Sequence, residues 1–223
     1  MLNYAIDPAP LLPLVPPGTE LDGWSGRTYV SMVGFLFLDT RVRGLAIPFH
    51  RHFEEVNLRF YVRRRGPEGW RRGVVFVREL VPRRAIAVVA RLLYHEPYLA
   101  LPMRHETGES AGRVRAAYHW RFRRRWHSLE VTAQGEPGPA APGSEAEFIT
   151  EHFWGYTAQR DGGTLEYRVE HPRWRVWAAT DSRLEGELAP LYGPALAACL
   201  AASPTSAFLA EGSPVTVMRG TRI

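Results

Sequence analysis

The sequence predicts an α+β protein that is mainly antiparallel β, a barrel or a sandwich with a few helices packed outside. Three observations lead to this prediction: many short runs favour strands, most connections contain glycine or proline, and helical periodicity occurs in few places. Strands joined mostly by hairpins form sheets whose apolar face needs a second layer. We expect one domain over residues 1–223, because the later strands have no obvious core of their own.

The first third of the chain contains one predicted helix and three predicted strands. In "DPAPLLPLV", Asp7 is a plausible N-cap and Pro8 takes the first helical position, before a stop at Pro16-Pro17-Gly18. "RTYVSMVGFLFLD" predicts a strand or a bulged pair with Gly34 at the irregularity. "EVNLRFYVRR" and "RGVVFVRELV" predict two strands joined by the hairpin loop "RGPEGW".

After Pro82 the hydrophobic period changes from that of a strand to that of a helix. Four apolar residues follow the i, i+3, i+4, i+7 spacing of an amphipathic helix, namely Ile86, Val89, Ala90 and Leu93. "YLALPMRHE" then returns to strand, and "RVRAAYHWRFRRRWHSLEVTAQG" predicts one long bent strand or two short ones.

The last third combines two further helices with strands. Ser144 and Glu147 form the S-x-x-E capping box of a helix through "EFITEHF". "YTAQRDGGTLEYRVEH" predicts a hairpin that turns at residues 161–163. A final helix covers about 194–202, and "SPVTVM" follows as a closing strand.

The composition restricts the classes of function. The 25.2 kDa chain is 45% hydrophobic, which is ample for a buried core. The sequence shows no signal peptide, and no apolar run approaches the ~20 residues of a membrane span, so we expect a soluble cytoplasmic protein. Cys199 is the only cysteine, which excludes internal disulfides and thiolate metal clusters.

The basic charge of the chain consists entirely of arginine. The net charge is +5, the isoelectric point is about 9.7, and all 28 basic residues are arginine, spread along most of the sequence. This pattern indicates a coding preference for arginine more than a dedicated polyanion-binding surface. Arginine binds phosphate and carboxylate in a bidentate manner, so anionic ligands remain compatible with the sequence.

"EVNLRFYV" contains the first candidate site. Because successive side chains of a strand alternate faces, four polar side chains share one side of this strand: Glu55, Asn57, Arg59 and Tyr61. On an exposed strand this row would be solvated. Inside a barrel, its carboxylate, amide, guanidinium and phenol could orient a small polar ligand. Alternation alone leaves both interpretations open.

"PFHRHFEE" offers a candidate metal site. Three side chains on one extended face could bind zinc or iron: His50, His52 and Glu54. Alternation places them opposite Glu55, so the two sets cannot share a site without a bulge. No other ligand spacing supports a metal. We therefore predict no metal and no cofactor, and interpret the segment as a solvated loop that enters a strand.

"HWRFRRRWH" interleaves basic and aromatic residues, as nucleic-acid-binding surfaces do. On one continuous strand Trp120, Phe122 and Trp126 would form one face. The other face would carry the basic side chains His119, Arg121, Arg123, Arg125 and His127. A sheet with a buried aromatic face and a solvated basic face gives the same pattern, so nucleic-acid binding is the third interpretation.

Signals for nucleophilic catalysis are few. There is no G-x-S-x-G motif and no phosphate-binding glycine loop, and Cys199 lies in the apolar segment "ALAACLA". His95 ends the predicted helix after Pro82, where the helix dipole favours its cationic form. It could be a general acid, a salt-bridge partner or only a helix terminator.

Taken in order, these segments resemble the YqjF-like family of uncharacterised bacterial proteins. The resemblance rests on "DPAPLLPLVPPG", on E-x-N-x-R-x-Y-V at 55–62, on the helix leading into "LYHEPY", and on "FITEHF" and "GGTLEYRVEHPRW". That family in turn is similar to the acetoacetate-decarboxylase-like superfamily. This implies a cone-shaped, mainly antiparallel β-barrel with helices outside, and a cavity inside the barrel that the row from Glu55 to Tyr61 would face.

The resemblance also implies which chemistry the chain has lost. In a segment similar to "YHEPYLA", the decarboxylases have a lysine after the proline, and this lysine forms a Schiff base with the keto-acid substrate. Here Tyr98 and Leu99 follow Pro97, and the chain contains no lysine. Guanidinium does not lose its proton, and nothing in the sequence places the α-amino group of Met1 in the barrel. The sequence therefore predicts that imine chemistry is excluded.

The resulting hypothesis is a small-molecule-binding barrel for a small organic acid or carbonyl compound. Arg59 would hold an anionic group, and Glu55 would accept a proton or hydrogen bond. Tyr98 or His95 would complete a lysine-independent acid/base centre of a lyase or isomerase. Asn57 and Tyr61 would line the cavity. Catalysis is left open: the alternative is a non-catalytic sensor or assembly module, and a homo-oligomer is compatible with both.

Overall fold

The computed structural model describes residues 1–42, 45–46, 52–83 and 97–223. The amphipathic helix predicted after Pro82 lies outside these residues, as do His50 and His95. Within them, no helix combines the length and apolar character needed to cross a membrane.

The described part of the chain is dominated by strands. They are β1 (Leu2–Ile6), β2 (Glu20–Leu21), β3 (Gly23–Trp24), β4 (Arg27–Phe37), β5 (Arg41–Val42), β6 (Leu45–Ala46), β7 (Phe53–Gly66), β8 (Gly69–Val81), β9 (Tyr98–Ala100), β10 (Met103–Ser110), β11 (Arg113–Phe122), β12 (Arg125–Gln134), β13 (Gly138–Pro139), β14 (Trp154–Ala158), β15 (Thr164–Glu170), β16 (Arg175–Glu185), β17 (Ser206–Ala210), β18 (Thr216–Val217) and β19 (Thr221–Arg222). The α-helices are α1 (Glu145–Thr150), α2 (Ala189–Tyr192) and α3 (Pro194–Leu200), and a 3₁₀ helix covers Leu12–Leu14.

One curved sheet joins all of these strands except β5 and β6, which pair with each other. Its central ladder runs β9-β8-β7-β4-β1-β17-β16-β12-β11-β10, antiparallel throughout except between β8 and β9. β9 and β10 are consecutive in the chain, and His105 of β10 reaches Glu54 of β7, with 3.2 Å between Nδ1 and Oε2. The sheet therefore curls back on itself, although no ladder closes it among the described strands.

The main core lies on the even-numbered side of β7. Val56, Leu58, Phe60 and Val62 are fully buried there, and the helices α2 and α3 contribute apolar side chains to the same cluster. A smaller cluster on the odd-numbered side packs α1 against β4 and β7. Both faces of β7 are therefore covered, and its polar row does not lie on an open surface. The predicted fold class, mainly antiparallel β with a few helices outside, is confirmed.

The helix predicted from Asp7 does not form. Asp7 Oδ1 accepts a hydrogen bond from Ala9 N at 2.8 Å, but the segment then forms only a turn and the 3₁₀ helix. Pro13 lacks a backbone N–H, and its ring would clash with the Ala9 carbonyl in an α-helix, which prevents the helix from continuing. The preceding residues, which carried no prediction, form β1 between β4 and β17.

Gly34 does not mark the irregularity that the sequence predicts. β4 stays in register with β7 through this residue, where Gly34 faces Val56. The glycine is required by packing instead, since a Cβ at this position would lie 2.5 Å from the ring of Tyr118. The aromatic ring of β11 thus lies directly on the backbone of β4.

The basic and aromatic segment forms the hairpin of β11 and β12. Arg123 and Arg124 have φ of 46° and 67°, the left-handed values that a two-residue type I′ turn requires. Trp126 consequently stands opposite Arg121 and is 45% exposed, whereas His127 is buried and stacks on the buried indole of Trp120. The prediction that Trp126 faces the core and His127 faces solvent is wrong, because the turn interrupts the alternation.

The predicted capping box of α1 forms in part: the Ser144 side chain caps the helix, but the Ser144 N–H bonds to the Ala141 carbonyl oxygen, and the Glu147 side chain accepts from Gly143 instead. Ser144 Oγ accepts a hydrogen bond from Glu147 N at 3.2 Å, and Glu147 Oε2 accepts one from Gly143 N at 2.7 Å. The helix carries Phe148 and Ile149 onto the odd-numbered side of β7. This local signal therefore positions the helix that covers one end of the polar row.

Candidate functional site

The candidate site lies on the odd-numbered face of β7. Three neighbouring strands are aligned at this face: Asn57 of β7 stands opposite Glu79 of β8, and Glu79 stands opposite Tyr98 of β9. Side chains that face each other across neighbouring strands lie on the same side of a sheet. Glu55 shares that side with Asn57, so three strands bring two carboxylates, an amide and a phenol together.

Glu55 is the centre of this polar cluster and is only 1% exposed. Its Oε1 accepts a hydrogen bond from Asn57 Nδ2 at 2.9 Å, and its Oε2 accepts one from the Tyr98 hydroxyl at 3.2 Å. Tyr98 itself is partly exposed. The structure thus brings together three of the predicted site residues, while the predicted partner His95 lies outside the described residues.

Glu79 is a site residue that sequence reasoning missed. It is also 1% exposed. Counting back from the hairpin pair Gly66–Gly69 would place Arg78 opposite Asn57, but a register shift between Leu58 and Arg59 moves Glu79 into that position. A bulge therefore brings the second carboxylate into the cluster, and no local sequence pattern predicts this bulge.

Arg59 is the next residue of the row and is partly buried. Its Nη2 donates a hydrogen bond to the Ile149 carbonyl oxygen at 3.2 Å, and its guanidinium carbon lies 5.7 Å from the centre of the Tyr61 ring. Among the described residues, no carboxylate forms an ion pair with Arg59. A guanidinium group held in the interior without a counter-charge is suited to an anionic ligand.

Two buried polar atoms of the row have no hydrogen-bond partner within the described part of the chain. They are Asn57 Oδ1, an acceptor, and Arg59 Nε, a donor. Leaving such atoms unpaired in a folded interior is unfavourable, and native structures contain few of them. The row therefore offers one free acceptor and one free donor, two and four residues along β7 from the buried Glu55.

Tyr61 belongs to the packed end of the row. Its hydroxyl oxygen lies 2.6 Å from Ser31 Oγ, and its ring centroid lies 5.1 Å from that of Phe148 and 4.6 Å from that of His152. The side chain is fully buried beneath α1. Tyr61 thus forms a wall between the polar cluster and the helix, and a direct contact with a ligand stays a prediction.

His152 is a second buried group that sequence reasoning missed. Its Nε2 lies 3.6 Å from Asp22 Oδ2, which also accepts a hydrogen bond from Arg72 Nε at 2.6 Å. Burial lowers the pKa of His152 to about 4, against the opposing effect of Asp22. For Asp22, burial raises the pKa, but the bonds with His152 and Arg72 outweigh it, so the pKa lies below its ordinary value. His152 is therefore neutral at pH 7.

The α-amino group of Met1 is positioned by β17. It donates a hydrogen bond to the Phe208 carbonyl oxygen at 2.8 Å, and Met1 Sδ lies 4.0 Å from Arg59 Nη2. Burial and the nearby Arg59 lower the pKa of this amine to about 5. The amine is therefore held by β17, and the exclusion of imine chemistry stays a prediction.

The candidate metal set is divided. His52 is exposed and lies 3.8 Å from Asp39, whereas Glu54 is buried and contacts His105, on the side of β7 opposite Glu55. The third member, His50, lies outside the described residues. Within the described residues, no three histidine, cysteine, aspartate or glutamate side chains are grouped so that they could hold a metal ion.

The basic hairpin tip is neutralised by carboxylates. Arg63 pairs with Glu20 at 2.7 Å, and Arg64 and Arg71 both pair with the buried Glu166, at 3.2 and 2.5 Å. Arg71 also bonds Glu68. These arginines connect the β7–β8 hairpin to β2 and β15, so the charge of this hairpin has an intramolecular role.

Comparison of sequences places the chain among proteins of unknown function. The family model DUF2071, described as an uncharacterized conserved protein, matches residues 1–214. The uncharacterized protein YqjF of Bacillus subtilis (strain 168) is 30% identical over 179 residues, which cover 76% of this chain and 69% of that protein. The resemblance inferred from the sequence motifs is confirmed.

Comparison of structures identifies the fold. Acetoacetate decarboxylase from Legionella pneumophila superimposes over 100% of this chain and 82% of its own, with a TM-score of 0.63 and 12% identity. An acetoacetate decarboxylase-like enzyme from Sphingomonas wittichii RW1 matches 100% of this chain and 88% of its own, with a TM-score of 0.60 and 17% identity. The enduracididine biosynthesis enzyme MppR, complexed with pyruvate, matches 99% of this chain and 81% of its own, with a TM-score of 0.61 and 14% identity. At these identities the likeness establishes the fold alone.

Proposed function

Because the chain belongs to the DUF2071 family and has the acetoacetate-decarboxylase-like fold, we propose that it is a small-molecule-binding barrel protein for a small organic acid or carbonyl compound. One observation carries the proposal: Asn57 Oδ1 and Arg59 Nε are buried without partners among the described residues, on the same face of β7 as the buried Glu55. A ligand that pairs with both atoms would recover the roughly 1–3 kcal/mol that each unpaired buried group costs.

The chemistry of the row defines the ligand class. Arg59 Nε would donate to a carboxylate or carbonyl oxygen, and Asn57 Oδ1 would accept from a hydroxyl or amine group of the same molecule. One structural neighbour was solved with pyruvate, a small keto acid, which fits this class. We propose that the ligand occupies a cavity against Glu55, Asn57 and Arg59.

Turnover in this site would use acid/base chemistry. Glu55 would remove a proton from a carbon next to the ligand carbonyl, and Tyr98, whose hydroxyl lies 3.2 Å from Glu55 Oε2, would orient the carboxylate or return the proton. His95 stays a candidate for the second acid. The reaction class would be a lyase or isomerase step that needs no lysine.

A non-catalytic binding module is the second candidate. Both oxygens of Glu55 already accept hydrogen bonds from Asn57 and Tyr98, so the carboxylate is engaged by the protein itself. A general base must present a free lone pair to its substrate. If Glu55 keeps both bonds in the complex, it serves to hold Asn57 and Tyr98 in place, and the protein binds its ligand without converting it.

The proposal is tested by thermal stabilisation and calorimetry with a panel of small keto acids, hydroxy acids and other carboxylates. Binding should fall about tenfold or more in Arg59→Gln, because a charge-assisted bond is lost. Arg65→Gln, a change at an exposed residue of the same strand, is the control. A panel in which no compound stabilises the protein would contradict the proposal.

Glu55→Gln separates an enzyme from a binding module. If the protein is an enzyme, the wild type forms product, and the substitution abolishes turnover while the affinity for the ligand changes little. If it is a binding module, the wild type binds the ligand with measurable affinity but forms no product. Glu54→Gln is the matched control, because Glu54 is also buried but faces the opposite side of β7. Equal effects of the two substitutions on binding and turnover would argue against a role for Glu55.

A further inference from the structure

Among the described strands, β10 forms an open edge of the sheet. It pairs with β11 along its whole length, from Met103 to Ser110, and no other described strand pairs with its second edge. All seven residues from 104 to 110 are exposed. An exposed edge strand offers unpaired backbone N–H and C=O groups to another strand.

The hydrogen-bond pattern identifies the backbone groups at this edge. Arg121 N donates to the Pro102 carbonyl oxygen at 2.8 Å, and the register of β10 and β11 places these two residues opposite each other. In an antiparallel pair, bonded and non-bonded positions alternate. Even-numbered residues of β10 therefore bond to β11, and the odd-numbered residues His105, Thr107 and Glu109 turn their N–H and C=O groups outward.

The side chains along the edge make β10 complementary to itself. If a second copy pairs antiparallel about a two-fold axis at Thr107, His105 stands opposite the partner's Glu109. Glu106 then stands opposite the partner's Gly108, and the two threonines face each other. An axis at Glu106 would bring two carboxylates face to face, and an axis at His105 would bring two imidazoles together. Cross-strand pairs of threonines are favourable and like charges are unfavourable. The His105 imidazole, whose Nδ1 lies 3.2 Å from Glu54 Oε2, has a second ring nitrogen that can hydrogen-bond the partner's Glu109.

We propose that two copies of this chain associate through β10, antiparallel about a two-fold axis at Thr107, so that one continuous sheet crosses the dimer. The interface consists of the backbone bonds at His105, Thr107 and Glu109 with their facing side chains. Such an edge buries less area than the roughly 1600 Å² of a standard interface, so we expect a reversible dimer that dissociates on dilution.

Charged side chains on β10, β11, β12 and β16 are compatible with this dimer, because acidic and basic groups alternate from strand to strand. Glu106 and Glu130 both bond to Arg115, at 3.0 and 2.8 Å, and Glu130 faces Arg183 in register. Acid and base thus alternate across four strands, and the open groove of about 1090 Å³ that they line adjoins the β10 edge. With the axis at Thr107, Glu106 faces the partner's glycine, so this alternation meets no like charge at the interface.

Sedimentation equilibrium of the full chain tests the proposal at protein concentrations up to about 100 µM. Wild type should approach twice the 25.2 kDa chain mass. Thr107→Pro removes an outward N–H without removing a bond to β11, and Thr107→Arg places two guanidinium groups face to face. Both variants should remain folded by circular dichroism and sediment as monomers. Thr216→Arg, at an exposed strand residue of β18, should behave as wild type.

Two results would overturn the proposal: a wild-type protein that stays monomeric at the highest concentration, or Thr107 variants that dimerise as wild type does. If Thr107→Pro misfolds, the sedimentation of Thr107→Arg alone tests whether β10 forms the dimer interface. Spin labels on cysteines introduced singly at 105, 106, 107 and 110, in a Cys199→Ala background, test the register. The strongest dipolar coupling should occur at 107, and a stronger coupling at 105 or 106 would refute the proposed axis.

Discussion

The hydroxyl oxygens of Tyr61 and Ser31 lie 2.6 Å apart in the interior of the protein. Ser31 gives its own proton to Asn3 Oδ1 at 2.7 Å, so Tyr61 is the donor in this pair. Asn3 Nδ2 in turn donates to Ser206 Oγ at 2.9 Å. A chain of polar side chains thus links β7, β4, β1 and β17, and it connects the polar row to strands far apart in the sequence.

Tyr61→Phe should lower the free energy of unfolding by about 1–2 kcal/mol, because the Ser31 oxygen loses a buried donor while the ring packing is kept. Urea denaturation measures the change. The same substitution in a Ser31→Ala background should cost less, since the bond is already absent. An equal cost in both backgrounds would show that the hydroxyl pair contributes nothing to stability.

Gly34→Ala should destabilise the protein by about 1–3 kcal/mol, because its Cβ would overlap the ring of Tyr118, 2.5 Å away. Gly138→Ala is the control: its Cβ would meet no atom within 4 Å. Both changes remove the same backbone entropy from the unfolded chain, so the difference between them isolates the steric effect. Equal midpoints in urea would mean that Tyr118 moves aside without cost.

Features set by local chemistry could be predicted from the sequence. The Ser144 cap of α1 involves neighbouring residues, and the shared face of Glu55 and Asn57 follows from strand alternation alone. The order of the motifs was specific enough to indicate the family and, through it, the fold. These conclusions needed no knowledge of which strands pair.

Features set by register could not be predicted. The opposition of Glu79 and Asn57 depends on a bulge one residue long, and the exposure of Trp126 depends on a two-residue turn in the middle of a uniform basic segment. In a strand, a shift of one residue moves every side chain to the other face. The positions of His152 and of the Met1 amine depend on contacts between distant segments, which leave no local pattern.

Glu166→Gln should destabilise the protein by about 3 kcal/mol, because the 4% exposed carboxylate pairs with both Arg64 and Arg71. Its loss leaves Arg64 without this partner and Arg71 with the exposed Glu68 alone. Glu20→Gln removes an exposed ion pair with Arg63 and should cost at most about 1 kcal/mol. Urea denaturation at low and high salt compares them. Similar losses for the two variants would show that burial of Glu166 adds no strength to its pairs.

The buried His152 should make stability depend on pH. Its pKa is lowered from 6.5 to about 4 in the folded protein, so between these values the unfolded chain binds more protons than the folded one. Its contribution to stability is therefore fully present above pH 6.5 and declines toward pH 4, by at most about 3 kcal/mol. The Met1 amine acts in the same direction between pH 8 and 5.

His152→Gln isolates the histidine from the other titrating groups. It retains a polar side chain of similar size but cannot take up a proton, so its unfolding free energy should fall less steeply than that of wild type between pH 6.5 and 4. The Asp22 carboxylate, whose pKa is also lowered, loses its contribution only below its ordinary value of 3.8, outside this window. Exposed His52→Gln is the control and should follow wild type. Parallel curves for wild type and His152→Gln would mean that the imidazole accepts a proton in the folded protein without penalty.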